Sequence, residues 1–119
     1  MLLTLQVLQS IEAVEQEFYD LSCSISHSYK TVQTYKTSIN KLRKFLKEKH
    51  QFDELTLKSK IENTELDIYQ FLRTFVIYLD KNGVKDKGVR TYLSGVKGYL
   101  RHLGIRINSD DLKQFIRLP

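Results

Sequence analysis

The sequence predicts an all-α fold: a bundle of four to five helices with an extra amphipathic helix at its N-terminus. Apolar residues recur three and four positions apart along nearly the whole chain, which is the period of an α-helix. One proline and five glycines are too few for the many turns of an all-β chain. The chain has 119 residues, of which 41% are hydrophobic and 28% charged, a composition typical of one small globular domain.

The first predicted helix extends from about Leu3 to Leu21, and we assign residues 1–24 to it as an N-terminal segment. Its apolar residues step by four, three, four and three positions from Val7 to Leu21, and its polar side is acidic. The same spacing forms the seam of a coiled coil. This helix therefore either covers the core of its own chain or joins two protomers.

The second predicted helix extends from about Tyr29 to Lys49. Ser28 is the expected N-cap, because a serine side chain accepts hydrogen bonds from the free N–H groups of a first turn. Residues 51–63 lack a regular apolar period. We expect them to form an irregular connector with at most a short turn around Leu55 to Ile61.

Two further helices are each ended by glycine, a residue that tolerates the left-handed conformation found after many helices. The third extends from Thr64 to Lys81 and stops at Asn82-Gly83. The fourth extends from about Lys87 to Leu103, with Asp86 as its N-cap and Gly104 behind it.

The remainder of the chain is predicted to be an extended stretch over residues 105–108 and a short last helix that Ser109 caps and that ends near Ile116. We assign residues 25–108 to the core domain. Residues 109–119 are assigned to a short helix and a linker.

The net charge of +5 is unevenly distributed. Residues 1–24 contain four acids and no Lys or Arg, and residues 61–80 contain four acids and one base. Residues 25–60 and residues 81–119 each contain nine bases and three acids. Two basic segments therefore alternate with two acidic ones, which points to a polyanionic partner.

Both basic segments place their polar residues opposite an apolar stripe. On the second helix these residues are Lys30, Gln33, Thr37, Lys41 and Lys44, flanked by Thr34 and Asn40; on the fourth they are Arg90, Ser94, Gly98 and Arg101, beside Thr91, Lys97 and His102. This mixture suits DNA, because cations neutralise the phosphates while hydroxyl and amide groups can form hydrogen bonds with phosphates or base edges. The simpler alternative to a DNA-binding surface is that the polar faces of both helices contact only solvent. Gly98 would let a bulky partner approach the backbone, or Gly95 and Gly98 would permit a close helix crossing.

No residue pattern indicates chemistry. The three histidines do not form a metal-binding pattern, no glycine-rich nucleotide loop is present, and Cys23 is alone, which excludes an internal disulfide. The longest apolar run, Phe75 to Leu79, is far too short to cross a bilayer. We expect no cofactor, no metal and no membrane, and a cytoplasmic protein that associates with the nucleoid when bound.

Three stretches resemble a known family. They extend from Ser28 to Leu46, from Asp67 to Gly83, and from Thr91 through the segment Tyr-Leu-Ser-Gly-Val-Lys-Gly-Tyr-Leu-Arg-His-Leu to Gly104. Their order and spacing are similar to those of the SAM-like N-terminal core-binding domain of tyrosine recombinases, the phage integrase family that includes Xer- and Cre-type enzymes. The end of the chain, from Ile116 to Pro119, resembles the linker that leads to the catalytic domain in that family.

The resemblance implies a clamp on one side of duplex DNA, with the first and last core helices against the major groove and its phosphates. By position it places near DNA the residues Lys30, Thr31, Gln33, Thr34, Thr37 and Lys41 of one helix, and Lys87, Arg90, Thr91, Ser94, Lys97 and Arg101 of the other. One departure is Gly88, which stands where the family often has Ser or Thr. Together with Lys44, these residues form the predicted DNA-binding set.

The resemblance also concerns catalysis, because the family's catalytic set contains an H-x-x-R motif. Here His27, His50 and His102 are followed three residues later by lysine, aspartate and isoleucine. We therefore expect no enzyme in this chain, but the DNA-binding half of a site-specific recombinase, able to contact a catalytic domain or to self-associate. The alternative is a helical protein-interaction module that oligomerises through its N-terminal helix and has no nucleic-acid role.

Overall fold

The computed structural model describes residues 11–21 and 29–116. This part of the chain contains six α-helices and no strand, which confirms the predicted all-α class. The helices are α1 over residues 11–21, α2 over Tyr29–Phe45, α3 over Glu54–Glu62, α4 over Ile68–Lys81, α5 over Asp86–His102 and α6 over Ser109–Phe115.

Helix α2 is continued by one π-helical turn, Leu46–His50, so the helical region ends within one residue of the predicted Lys49. Gln51 then adopts a left-handed conformation, with φ of 61°, and its N–H donates a hydrogen bond of 2.6 Å to the carbonyl oxygen of Leu46. The predicted N-cap Ser28 lies outside the described residues, as do the first turns of the predicted N-terminal helix.

The expectation of an irregular connector over residues 51–63 is wrong, because α3 forms there. The Asp53 carboxylate accepts a hydrogen bond of 2.8 Å from the N–H of Thr56 and so caps the helix. Leu57 faces the core and is completely buried. The helix has few apolar residues, and much of its attachment comes from the buried carboxylate of Glu54, so apolar spacing alone does not reveal it.

Helix α4 starts at Ile68 and not at the predicted Thr64, which has a left-handed φ of 57°. Asp67 supplies the cap, since its carboxylate accepts from the N–H of Tyr69 at 3.0 Å. The predicted end at Lys81 is confirmed, and Gly83 follows with a φ of 82°.

The predicted caps of the last two helices are each displaced by one residue. Asp86 is the first residue of α5, and Lys85 occupies the cap position without a side-chain bond. The side chain of Asn108, not Ser109, caps α6 by accepting from two N–H groups at 2.9 and 3.2 Å. Gly104, with a φ of 97°, ends the turn after α5 as predicted.

Helices α2 and α5 share the most extensive contact between elements of the described chain. Helix α1 lies across this pair, where the buried ring of Phe18 contacts the rings of Tyr35, Tyr99 and His102 at centroid distances of 5.0 to 5.5 Å. The apolar face of α1 around Phe18 is therefore covered by its own chain, whereas Leu21 at the end of the helix is 47% exposed.

A polar network joins α1, α2, α3 and α5 beneath these rings. Arg43 of α2 forms ion pairs with Glu54 of α3 and, at 2.8 Å, with Glu15 of α1. The Tyr99 hydroxyl donates to Glu54, which is 2% exposed, and the Tyr19 hydroxyl donates to Glu15. A buried carboxylate costs several kcal/mol of desolvation unless it is paired, so these contacts fix the helices relative to each other.

Candidate nucleic-acid interface

Helix α5 presents one continuous polar stripe. Arg90, Ser94, Lys97 and Arg101 are spaced by four, three and four residues, which places them on one side of the helix. Arg90, Ser94 and Arg101 are exposed and Lys97 is half-buried. Lys87 and Thr91 are also exposed beside the stripe.

The predicted residues of α2 divide into three groups. Gln33, Thr34, Thr37 and Lys44 are exposed. Lys41 is half-buried, and its Nζ lies 5.8 Å from the centroid of the Tyr92 ring of α5, so its charge is held at the junction of the two helices. The side chains of Lys30 and Thr31 lie outside the described part of the chain.

Where α2 and α5 meet, they form a surface cleft of about 390 Å³. It is lined by Thr34 and Tyr35 of α2 and by Arg90, Thr91, Ser94 and Gly95 of α5. Four of these six residues belong to the predicted DNA-binding set. The fold therefore brings one guanidinium and three hydroxyl groups from two helices to a single concave surface.

The cleft depends on a glycine. Gly95 is buried, and a Cβ added there would lie 2.3 Å from the Oγ and 2.6 Å from the Cβ of Ser38. A side chain at this position would push α5 away from α2. Of the alternatives left open for the two helix glycines, the close helix crossing is thus realised at Gly95.

Gly98 does not lie on the exposed face, contrary to its interpretation as a point of close approach for a partner. A Cβ there would meet the ring of Phe18 at 3.7 Å, beneath α1. His102 is similarly turned towards α1: it is half-buried, and its Nε2 lies 3.8 Å from the Glu17 carboxylate. The helical wheel misplaced both residues because it contains no information about a third helix.

Two threonine hydroxyl groups, one on each helix, have the same hydrogen-bonding state. The Thr37 hydroxyl donates to the Gln33 carbonyl at 3.1 Å, and the Thr91 hydroxyl donates to the Lys87 carbonyl at 2.9 Å. Each hydroxyl has one proton, so these two present acceptor lone pairs outward. Such groups match the amino groups that adenine and cytosine expose in the major groove.

The basic residues of α2 serve two different surfaces. Arg43 is paired with Glu15 and Glu54, and the Nζ of Lys36 lies 5.2 Å from the centroid of the Tyr19 ring of α1. These two cations are therefore directed towards α1. Lys41 and Lys44 are the described basic residues of α2 that remain for another partner.

At the other end of α5, Arg101 is attached to the segment that follows. Its Nη2 donates to the carbonyl oxygen of Ile107 and to the hydroxyl of Ser109, both at 3.1 Å. The pKa of Lys97 is lowered by partial burial and by the positive charges of Arg101 and Lys113. The bond between Arg101 and Ser109 brings the start of α6 to the stripe of α5, and Lys113 follows Ser109 by one helical turn.

Sequence reasoning missed three residues of this surface. Tyr35 of α2 is not in the predicted set, but it is half-buried and lines the cleft. Gly95 was recognised only as a possible crossing point. Lys113 was not included, although a short helix was predicted from Ser109 to about Ile116. Its spacing of four residues from Ser109 is the one sequence signal for its position.

The described residues show no other kind of site. Residues 11–21 and 29–116 contain no group of three or more His, Cys, Asp or Glu side chains placed to hold a metal ion. In the same part of the chain, no helix combines the length and the apolar character needed to cross a membrane.

Comparison with known proteins identifies a family. The family model described as phage integrase, N-terminal SAM-like domain, matches residues 15–106, which extend from within α1 to the segment before α6. The match confirms the resemblance drawn from the three sequence stretches. No curated protein and no solved structure matches the chain.

Proposed function

Since this chain belongs to the phage integrase N-terminal SAM-like domain family, we propose that it binds duplex DNA site-selectively as the N-terminal clamp of a tyrosine recombinase. The recombination chemistry is assigned to a catalytic domain that carries the family's arginine, lysine, H-x-x-R and tyrosine residues. The part played by this chain is to hold the major groove and its phosphates.

The cleft between α2 and α5 is the observation that carries this proposal. It joins Arg90 to Thr34, Thr91 and Ser94 on one concave surface. A guanidinium can bind a phosphate or the O6 and N7 atoms of guanine with two parallel hydrogen bonds. Hydroxyl groups beside it suit base edges or further phosphates.

The surrounding residues supply the sequence-independent part of binding. We expect the phosphates along both helices to be neutralised by Lys41, Lys44, Lys87, Lys97 and Arg101. Gln33 and Thr37 would make polar contacts beside them. Lys30 and Thr31 complete the set at the start of α2. Each neutralised phosphate releases condensed counterions, so binding is expected to weaken steeply with salt.

The alternative, a module that oligomerises through its N-terminal helix, has less support. Helix α1 buries Phe18 and Tyr19 against its own chain, and Glu15 is occupied by Arg43. These contacts occupy the part of the apolar face of α1 around Phe18, which a partner protomer would need. Contact with a catalytic domain is compatible with the proposal.

Fluorescence anisotropy with labelled duplex DNA tests the proposal. With about five phosphate contacts, affinity should fall on the order of 10²- to 10³-fold between 50 and 200 mM salt. The variant Arg90→Gln should weaken binding by about 10-fold, as expected for the loss of a base or phosphate contact of 1–3 kcal/mol. Arg73→Gln removes an equally exposed arginine from α4 and is the matched control.

Two outcomes would contradict the proposal. No binding of the folded wild-type chain at 50 mM salt would refute a DNA-binding role. Equal effects of Arg90→Gln and Arg73→Gln would refute the assignment of the cleft, because a diffuse electrostatic attraction would not distinguish an arginine of α5 from one of α4.

A further inference from the structure

Three cations converge at the end of α5 that is remote from the cleft. Lys97 and Arg101 are one helical turn apart on the exposed stripe of α5. The two 3.1 Å hydrogen bonds of Arg101, to Ile107 and Ser109, attach the start of α6 to this end of α5. Lys113 is four residues after Ser109, so it lies one turn further on the same side of α6.

No acidic partner neutralises this cluster. Within residues 11–21 and 29–116, none of these three cations lies within 4.0 Å of a carboxylate oxygen, whereas Arg43, Lys58 and Lys60 each have an acidic partner at ion-pair distance. The two acids of α6, Asp110 and Asp111, belong to its first turn, where carboxylates complement the positive end of a helix.

The cluster is held together against its own repulsion. Partial burial and the positive charges of Arg101 and Lys113 lower the pKa of Lys97, so the three cations are close enough to affect one another. Arg101 cannot turn away without losing two hydrogen bonds. An anion bound between like charges offsets their mutual repulsion.

We propose that Lys97, Arg101 and Lys113 form a binding site for one backbone phosphate of duplex DNA, at the far end of α5 from the Arg90 cleft. This inference rests on the proposed function and extends it to α6. The short last helix becomes a DNA-contacting element, and Lys113 its contact residue.

The length of α5 supports this assignment. Arg90 and Arg101 are eleven residues apart, which is about 16 Å along a helix. The major groove of B-DNA is about 12 Å wide. Cations at the two ends of α5 can therefore reach phosphates on both sides of the groove, while Thr91 and Ser94 lie between them and face the bases.

The test compares Lys113→Gln with Lys81→Gln, an equally exposed lysine at the end of α4 remote from α6. Affinity for one duplex is measured by anisotropy at 50 and 200 mM salt. Loss of one phosphate contact lowers the slope of log Kd against log salt by about 0.9. The defect of Lys113→Gln should therefore be largest at 50 mM salt and shrink about 3.5-fold at 200 mM.

Lys81→Gln should leave both the affinity and the slope unchanged. Thermal unfolding of each variant verifies that the helices are intact. If Lys113→Gln behaves as Lys81→Gln does, the phosphate site is overturned. The proposed function still stands in that case, provided that Arg90→Gln weakens binding; if the wild-type chain does not bind DNA, the proposed function falls first.

A second arm distinguishes a DNA phosphate from free phosphate. Inorganic phosphate is titrated against chloride of equal ionic strength, and thermal stabilisation of the wild-type chain is compared with that of Lys113→Gln. Stabilisation by inorganic phosphate that Lys113→Gln abolishes, with DNA binding unchanged, would assign the cluster to a free anion and refute the DNA contact. A loss of DNA affinity and salt slope in Lys113→Gln supports it.

Discussion

Gly95 of α5 lies directly against Ser38 of α2, so close that a Cβ on the glycine would stand 2.3 Å from the serine Oγ. The Ser38 hydroxyl is itself committed, since it donates a 2.9 Å hydrogen bond to the Thr34 carbonyl, and Ser38 is completely buried. Two buried backbones thus meet with only a hydroxymethyl group between them. The separation of α2 and α5, and with it the width of the cleft, is set at this point.

Gly95→Ala should be destabilising and should also weaken DNA binding. Overpacking of a dense core typically lowers the free energy of unfolding by about 1–3 kcal/mol. The clash with Ser38 can be relieved by a displacement of α5 away from α2, which would widen the cleft. Chemical denaturation and anisotropy would measure the two effects. Gly98→Ala is the matched control: its Cβ would make an ordinary 3.7 Å contact with Phe18, and alanine is favoured over glycine within a helix by about 1 kcal/mol. Equal stability of the two variants would contradict the close crossing.

Tyr99→Phe should lower the free energy of unfolding by about 1–3 kcal/mol, because it removes a hydroxyl that donates to the buried Glu54 carboxylate. Tyr78→Phe removes a comparable 2.8 Å hydrogen bond to Glu48, which is exposed and can bond water instead. Tyr78→Phe should therefore lower the free energy of unfolding clearly less than Tyr99→Phe does. Urea unfolding of both variants at pH 7 makes the comparison, and a larger loss in Tyr78→Phe would argue against the network as the anchor of α3.

The pH dependence of stability should change in Glu15→Gln. Burial raises the pKa of Glu15, but hydrogen bonds from Arg43 and Tyr19 and the charges of Arg43 and Lys36 outweigh it, and the net pKa is lowered from 4.5. A lowered pKa contributes stability above pH 4.5 that is lost as the pH falls through the folded-state value.

Glu15→Gln should therefore be less stable than the wild type at pH 7, by about 1.5–3 kcal/mol for a charged hydrogen bond, and the difference should narrow below about pH 4.5. Denaturation midpoints between pH 7 and pH 3 measure this. Glu12→Gln alters an exposed acid of the same helix, and its denaturation midpoint should change with pH in the same way as that of the wild type. A constant difference at all pH values would show that Glu15 acts without its charge.

A chain that begins at Ser24 should unfold or melt at least about 12 °C lower, because loss of the Phe18 packing alone is worth about 3 kcal/mol or more. Circular dichroism measures folding, and light scattering measures the oligomeric state. A truncated chain that keeps its melting temperature and passes from dimer to monomer would restore the alternative in which the first helix joins protomers.

The spacing of apolar residues was sufficient to predict a helix and its end where the helix is held by apolar packing and followed by a residue in the left-handed conformation. It predicted the end of α4 at Lys81 before Gly83 and the extent of α5 before Gly104 to within one or two residues. It failed at α3, whose attachment depends on the bonds of Glu54 to Arg43 and Tyr99, residues 11 and 45 positions away. A sequence window does not contain such partners.

The sequence likewise predicted the positions of some residues of the candidate site and not of others. The exposure of Arg90, Thr91 and Ser94 follows from their position opposite the apolar stripe of one helix. The pattern of one helix does not show which of the remaining residues face a third helix, because this depends on how α1 crosses α2 and α5. Gly98 was misassigned for this reason, and the placement of the DNA-binding residues themselves remains a prediction for the binding experiments.

The pairing of Lys36 and Arg43 with α1 has a consequence for how the molecule would approach a duplex. Glu12, Glu17 and Asp20 of α1 remain exposed, whereas α5 carries the exposed cations Lys87, Arg90 and Arg101. The charges of these two helices thus form an electric dipole that is fixed in the frame of the described residues. A negatively charged rod would repel the α1 side and attract the cleft, so the field would orient the protein during diffusion, before any atom of the two molecules touches.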